Sequence, residues 1–353
     1  MKSLRPFTRC LLRPEDVRPS QDDLTVVGAF NPAAAATADG IVLLVRVAEI
    51  PTEKRAGWIA LPRWDLTAGR VIIDWTRESE LILEDTRSVR FKSTGVVRLT
   101  FASHICIVRS RDGRTIDAID PVRFLPASPI EEFGVEDPRA MRIDDLYYIT
   151  YVAISRHGPA TALASTRDFR TFHRHGVIFC PDNKDVVFFP EKIGGQYFAI
   201  HRPSISASLT RPEMWMASST DLLHWGGHRF FFGGVDDWNI GRIGAGAPPI
   251  RTGAGWLELY HGNDRRFGET RVGRYSGALL LLDADEPWTI LGKSGPIFVP
   301  EQDFELRGFV PDVVFPTGIV EQDESVLVYY GAADAVTGVT EFRMRDLLAA
   351  VGQ

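Results

Sequence analysis

Cysteine is scarce in this 353-residue chain. There are three, Cys10, Cys106 and Cys180, odd in number and far apart. They exclude a disulfide framework and a CxxC metal site, and fit reduced thiols in a cytoplasmic protein. No run approaches the ~20 apolar residues that a membrane-spanning helix needs. The opening MKSLRPFTRCLLRPEDVRP is positively charged but has neither an apolar core nor a small-residue cleavage site, so no signal peptide is expected. An excess of positive charge is also missing: 40 Lys and Arg against 46 Asp and Glu give a net charge of −6. Nucleic acid and anionic membranes both reward a basic face, so neither is expected as a partner. HExxH and the GxSxG elbow are absent, the Gly-rich loop 244–249 has neither a following helix nor a GK[ST] ending, and the eight His show no metal-ligand spacing. No metal and no cofactor are therefore expected. Helical periodicity is scarce too; the tail MRDLLAAVGQ is the best short candidate.

What is present is β-strand signal, punctuated by 31 Gly and 22 Pro. A turn pattern recurs: Ser or Thr, one residue, Asp, then often an aromatic. It appears as Ser110-Arg111-Asp112, as Thr166-Arg167-Asp168 with Phe172, and as Ser219-Thr220-Asp221 with Trp225. Degenerate copies end at Asp283 with Trp288 and at Asp346, giving intervals of 56, 53, 62 and 63 residues. Asp and Ser at such turns bond their own backbone, which explains the residue choice without catalysis. Interleaved with it are five short apolar strands: IVLLVRV (41–47), LYYITYVAI (146–154), YFAIHRP (197–203), WLELYHG (256–262) and VLVYYGAAD (326–334). Five β-rich units of ~50–70 residues predict an all-β fold, a five-bladed β-propeller with a central active-site cup. The alternative is a β-sandwich. On this reading residues 1–353 form one domain, with an insertion in the first blade around 51–103 that covers the channel mouth or contacts another subunit, as in a homo-oligomer.

Polar residues on these strands would converge in the cup: Arg46, Tyr151, His201, Arg202, Tyr260, His261, Tyr329, Tyr330 and Asp334. The run Gly134-Val135-Glu136-Asp137-Pro138-Arg139 sets two carboxylates and an Arg around a Pro. Paired carboxylates in a dry site suit general acid–base work, and a salt-bridged turn is the plainer reading. The Asp182-Asn183-Lys184-Asp185 segment and the loop Gly244-Ala245-Gly246-Ala247-Pro248-Pro249 add a cation and a close backbone approach.

GVEDPR before YYITY, PDNKDVVFFPEKIGGQYFAIHRP, GAGAPPI with GWLELYHG, and VPDVVFPTG with YYGAAD resemble, in this order, glycoside hydrolase family 130. The likeness runs from about Phe30 to Thr340. It implies a five-bladed β-propeller that cleaves β-mannosides, by phosphorolysis or by water. It implies that Asp137 is the general acid, acting through a sugar hydroxyl. Asn31, Arg46, Glu136, Arg139 and Asp334 would meet the sugar, and Lys184, Arg202, His261 and Tyr275 would hold inorganic phosphate. Phosphate would be a co-substrate: a β-1,2- or β-1,4-linked manno-oligosaccharide or mannosyl-glucose would yield α-mannose 1-phosphate with inversion. The class would be a hexosyltransferase-type glycosyltransferase. A phosphorylase needs one protein carboxylate, whereas an inverting hydrolase needs a second to activate water. Pro32 after Asn31 and Asp312 in VPDVVFP depart from the family pattern, and the insertion is more similar to members acting on β-1,2-linkages. The rivals are an inverting β-mannosidase and a non-catalytic glycan-binding protein.

Overall fold

A computed structural model describes residues 4–204, 211–266, 268–269 and 271–352. The fold is all-β. After strand β1 (Phe7–Leu12) come β2 (Leu24–Thr37) and β3 (Gly40–Pro51). The insertion follows, with β4 (Trp58–Asp65) and β5 (Arg70–Arg77) as a two-stranded sheet and β6 (Leu81–Asp85), β7 (Ser88–Phe91) and β8 (Val97–Leu99) as a three-stranded one. Then β9 (Ala102–Ser110) and β10 (Ala118–Phe124) return to pair beside β3. The next four strands are β11 (Gly134–Ile143), β12 (Leu146–Ser155), β13 (Gly158–Thr166) and β14 (His173–Phe179). The four after them are β15 (Asn183–Phe188), β16 (Tyr197–Pro203), β17 (Met214–Ser219) and β18 (Gly226–Phe232). Next are β19 (Arg242–Ala245), β20 (Ile250–Thr252), β21 (Gly255–Asn263), β22 (Tyr275–Leu282) and β23 (Ile290–Lys293). A short helix α1 (Asp303–Leu306) precedes β24 (Val314–Gln322), β25 (Ser325–Ala332) and β26 (Val336–Arg343), and α2 (Met344–Ala350) ends the chain.

Hydrogen bonding sorts these strands into antiparallel units. β2-β3-β9-β10 is the first and β11 to β14 the second, joined by one parallel bridge, Gly134↔Ser103. β15 to β18 form the third and β19 to β23 the fourth. The fifth, β24-β25-β26, takes its outer strand from β1 at the other end of the chain. The recurring Asp residues mark one topological position. Asp112, Asp168, Asp221 and Asp283 each lie between the last two strands of a unit, where Oδ1 accepts two backbone N–H groups at 2.8–2.9 Å. Asp346 differs: it sits in α2, in the first turn of the helix expected for the tail.

The five apolar strands of the sequence are the second strands of the five units. They read as continuous hydrophobic runs because both faces are buried, with side chains alternating between two cores. On β3, Val42 and Leu44 pack into the core shared with the second unit, while Ile41, Leu43 and Val45 pack into the one shared with the fifth. On β21, Trp256 and Tyr260 face the third unit and Leu257 and Leu259 the fifth. Five such clusters each join two successive units, and the last joins the fifth back to the first. Among the described residues no helix is long and apolar enough to cross a membrane, and Cys10, Cys106 and Cys180 are unpaired.

Candidate active site

The first strands of the first three units share an irregularity. Pairing slips between Phe30 and Ala33 on β2, between Glu136 and Arg139 on β11, and between Lys184 and Val187 on β15. Each slip holds one residue with left-handed backbone: Asn31 (φ 50), Asp137 (φ 45) and Asp185 (φ 54). Asn and Asp tolerate this region better than other side chains, and a bulge re-aims the residue it carries. The same device on three neighbouring strands turns three short polar side chains toward one place. Gly331 leaves the room Asn31 needs, since a Cβ there would strike the Asn31 carboxamide.

Arg46 on β3 organises the first cluster. Its Nη1 donates to Asp137 Oδ1 (2.9 Å) and its Nη2 to Glu136 Oε1 (2.7 Å), while Asn31 Nδ2 donates to the same Asp137 oxygen (2.7 Å). Ser103 Oγ donates to Glu136 (3.1 Å), and the guanidinium lies over Phe30 and Phe101. All five polar residues are buried. Burial opposes the Arg46 charge, but Glu136, Asp137 and Asp334 outweigh it and hold the group above its ordinary value. Burial alone would raise Asp137; Arg46, then Lys184 and Arg139, pull it below the usual carboxylate range. Glu136 goes the other way, raised by burial and by Asp137. Asp334 is likewise raised by burial, against Arg87 and Arg46.

A second cluster adjoins it. Arg202 Nη1 meets Asp185 Oδ2 at 2.5 Å, and His261 Nε2 is 3.4 Å from that oxygen. Gly244 permits the approach, because a Cβ there would strike both the Asp185 carboxylate and the His261 ring. Arg202, Lys184 and His261 pull Asp185 far below its ordinary value against burial. Burial lowers His261 to about 4, so the ring is neutral at pH 7. His261 packs on Phe315 (4.3 Å) and faces Tyr275 (6.0 Å). Arg139 bridges the clusters: Nη1 donates to the Asp137 carbonyl (3.0 Å), Nη2 lies 3.9 Å from Asp185, and Nε donates to the Gly246 carbonyl. Behind it, Glu258 is fully buried and raised well above its ordinary value by that burial.

A cavity of about 370 Å³ opens over the first cluster. That is small-molecule size. Arg46, Glu136, Lys184 and Asp334 line it directly, between apolar walls that include Phe30, Phe101 and Phe309. Asn31 and Asp137 do not line it; Asp137 is bonded to Arg46, which does. Arg202, His261 and Tyr275 come together as expected but do not line this cavity, and Arg202 and His261 are spent on Asp185 in the free protein. Of the other strand residues singled out, five point elsewhere. Tyr151 donates to Glu131, Tyr329 to the Gly113 carbonyl and Tyr330 to Glu305, Tyr260 packs on Trp238, and His201 bonds Asn183. They lie on second strands, whose alternate residues face the cores between units.

Sequence reasoning left Asp185 without a role and missed Arg87 altogether. Arg87 comes from the turn between β6 and β7 of the insertion. Asp85 anchors it at 2.8 Å, and its Nη1 lies 3.6 Å from Asp334 at the cavity wall. Asp185, like Asn31 and Asp137, is a short polar residue at the bulge of a first strand, a register property that the sequence does not display. Among the described residues no group of three His, Cys, Asp or Glu is placed to hold a metal ion.

Comparison with known proteins adds four findings. Residues 95–353 match the glycoside hydrolase family 130 model described as beta-1,4-mannooligosaccharide phosphorylase. The chain is 36% identical over 344 residues to the beta-1,2-mannobiose phosphorylase of Listeria innocua, covering 96% of this chain and 95% of that one. It is 33% identical over 252 residues to the 1,2-beta-oligomannan phosphorylase of Thermoanaerobacter, covering 70% and 81%. The solved complex of the Listeria innocua enzyme with beta-1,2-mannobiose superposes with a TM-score of 0.90, over 97% of this chain and 96% of that one.

Proposed function

Because the chain belongs to glycoside hydrolase family 130, we propose that it is an inverting β-mannoside phosphorylase acting on a β-1,2-linked mannoside. The reaction takes the mannoside and inorganic phosphate to α-mannose 1-phosphate and a shortened sugar, with no other cofactor. The five units are the blades of one five-bladed propeller domain. Its support is the set of five shared cores, the last of which returns to the first unit. The insertion is part of the first blade and contributes one wall of the cup.

The observation that carries the reading is the juxtaposition of two opposite sets of groups. A carboxylate held by Arg46 and Asn31 stands beside Lys184, Arg202 and His261 on the next units. Asp137 supplies the proton to the leaving oxygen, through a sugar hydroxyl. Glu136, Arg139 and Asp334 with Asn31 and Arg46 fix the mannosyl unit, and Lys184, Arg202, His261 and Tyr275 receive phosphate. Phosphate is already a competent nucleophile, so the protein need only hold it in line with the anomeric carbon. Fixed cations and planar donors suit that task.

In the free site Asp137 is charged because of its cationic neighbours. Phosphate neutralises some of those cations, and substrate excludes water; both changes favour protonation of a buried carboxyl. Loading the site with phosphate therefore arms the acid. The direct test is β-1,2-mannobiose incubated with and without inorganic phosphate. Appearance of mannose 1-phosphate only when phosphate is present is expected. Free mannose as sole product, at a rate indifferent to phosphate, would identify a hydrolase instead.

A further inference from the structure

On the outer side of the cation cluster three polar side chains form a string that the chemistry above does not use. Asn183 Nδ2 lies 2.9 Å from His201 Nδ1, and His228 Nδ1 lies 3.1 Å from His201 Nε2. The amide N–H is the donor at one end, so His201 accepts on Nδ1. Its single proton then sits on Nε2 and is donated to His228. His201 is buried and stacked on Phe179 at 4.7 Å, while His228 is exposed. Burial, with His228 beside it, lowers His201 to about 3, which keeps this tautomeric arrangement neutral.

The string spans the mouth end of the β15–β16 hairpin. There Asn183 pairs with Pro203 and Lys184 pairs with Arg202. Backbone pairing continues beyond Pro203, with Ser204 N–H donating to the Asp182 carbonyl (2.9 Å), so Asn183 and Pro203 are the non-hydrogen-bonded pair between two bonded ones. At that pair Asn183–His201 adds a side-chain bond between the two strands. Asn183 lies one residue before the Lys184–Val187 slip that turns Asp185 inward, and its carbonyl accepts from Thr161 Oγ1 (3.2 Å).

We infer that His201 is a positioning residue for phosphate: through Asn183 it fixes the hairpin end that presents Lys184 and Arg202 as a pair. This rests on the phosphorylase reading. Replacing His201 by Leu keeps bulk and removes both bonds. Phosphate KM should rise about tenfold or more, while mannoside KM and kcat at saturating phosphate stay within about twofold. His201→Gln, which can accept from Asn183 and donate to His228, should recover most of the loss. Asn183→Ala should match His201→Leu, and the double variant should be no worse than either, because both break one link. His228→Leu, at the exposed end, gives a milder rise and serves if the buried variants fold poorly. Isothermal titration with inorganic phosphate should show the same ranking without turnover. Unchanged phosphate KM in His201→Leu and His228→Leu, or equal falls in every kinetic parameter, would overturn the inference. Wild-type turnover that ignores phosphate would instead reject the phosphorylase reading.

Discussion

Asp137→Asn isolates the acid from its scaffold. Asn31 Nδ2 and Arg46 Nη1 both donate to Asp137 Oδ1, and an asparagine carbonyl can accept both in the same place. Two charge-assisted bonds become neutral ones, a loss of about 1–2 kcal/mol. Removal of a buried charge offsets part of this, so the melting temperature should fall by no more than about 4 °C. The wild-type Asp137 contributes stability above the ordinary carboxylate pKa, because its own pKa is depressed in the fold. That contribution disappears as pH falls, so the two proteins should converge in acid. Catalysis should suffer far more. A positioned general acid is worth about 10²–10⁴-fold, or roughly 2.7–5.4 kcal/mol of barrier. The assay is mannose 1-phosphate formed from β-1,2-mannobiose at saturating phosphate, beside a titration of phosphate binding. Affinity for phosphate should hold or improve, since a negative charge near Lys184 is gone. Turnover above about a tenth of wild type, in a folded variant that binds phosphate, would refute the role of Asp137.

Arg87→Ala should raise mannoside KM by about tenfold, the worth of one charged hydrogen bond to a sugar hydroxyl, with kcat little changed. An unaltered KM would remove the insertion from sugar recognition. His104 is buried against Glu49 (3.4 Å) and Cys106; burial opposes its charge, yet these partners raise it to about 9. Its stabilisation, about 3 kcal/mol at most, is complete below pH 6.5 and is lost as pH rises through 9. Urea midpoints should fall over that window, and His104→Gln should flatten the slope. Inorganic phosphate at about 100 times its Kd should add roughly 2.7 kcal/mol of stability, read as a rise in melting temperature. The double variant Lys184→Ala/Arg202→Ala should lose that rise.

Much of this was legible in the chain because turns and strands have local causes. The recurring Asp turns, three of them Ser/Thr-x-Asp, marked the same corner in four units, since the bonding they need is local. The continuous apolar runs marked second strands, since only burial on both faces permits such a run. Asp137, Arg46 and Asn31 were found together, although they are up to 106 residues apart, through a resemblance of motifs. Spacing alone could not have joined them. What was not legible has one physical root: orientation. Tyr151, Tyr260, Tyr329 and Tyr330 were on the right strands but on faces turned to the inter-unit cores. Arg87 lies in an insertion whose path back to the site depends on long-range pairing. Asp185 escaped because a bulge, a register property between two strands, is what aims it.

The pairing of β1 with β26 sets a timetable. Phe7 faces Glu341 across that ladder, so the first strand made is completed by nearly the last. At about 5–20 residues per second, synthesis leaves it unpartnered for roughly 20–60 s. Through that interval the strand is an open edge, the kind of surface that recruits the wrong neighbour. Its sequence FTRCLL is short and carries Arg9 at the centre, a charge that makes premature pairing costly. The fifth unit then forms by joining segments about 330 residues apart. Removal of residues 7–12 would therefore take a strand from the fifth unit, whose β25–β26 turn carries Asp334.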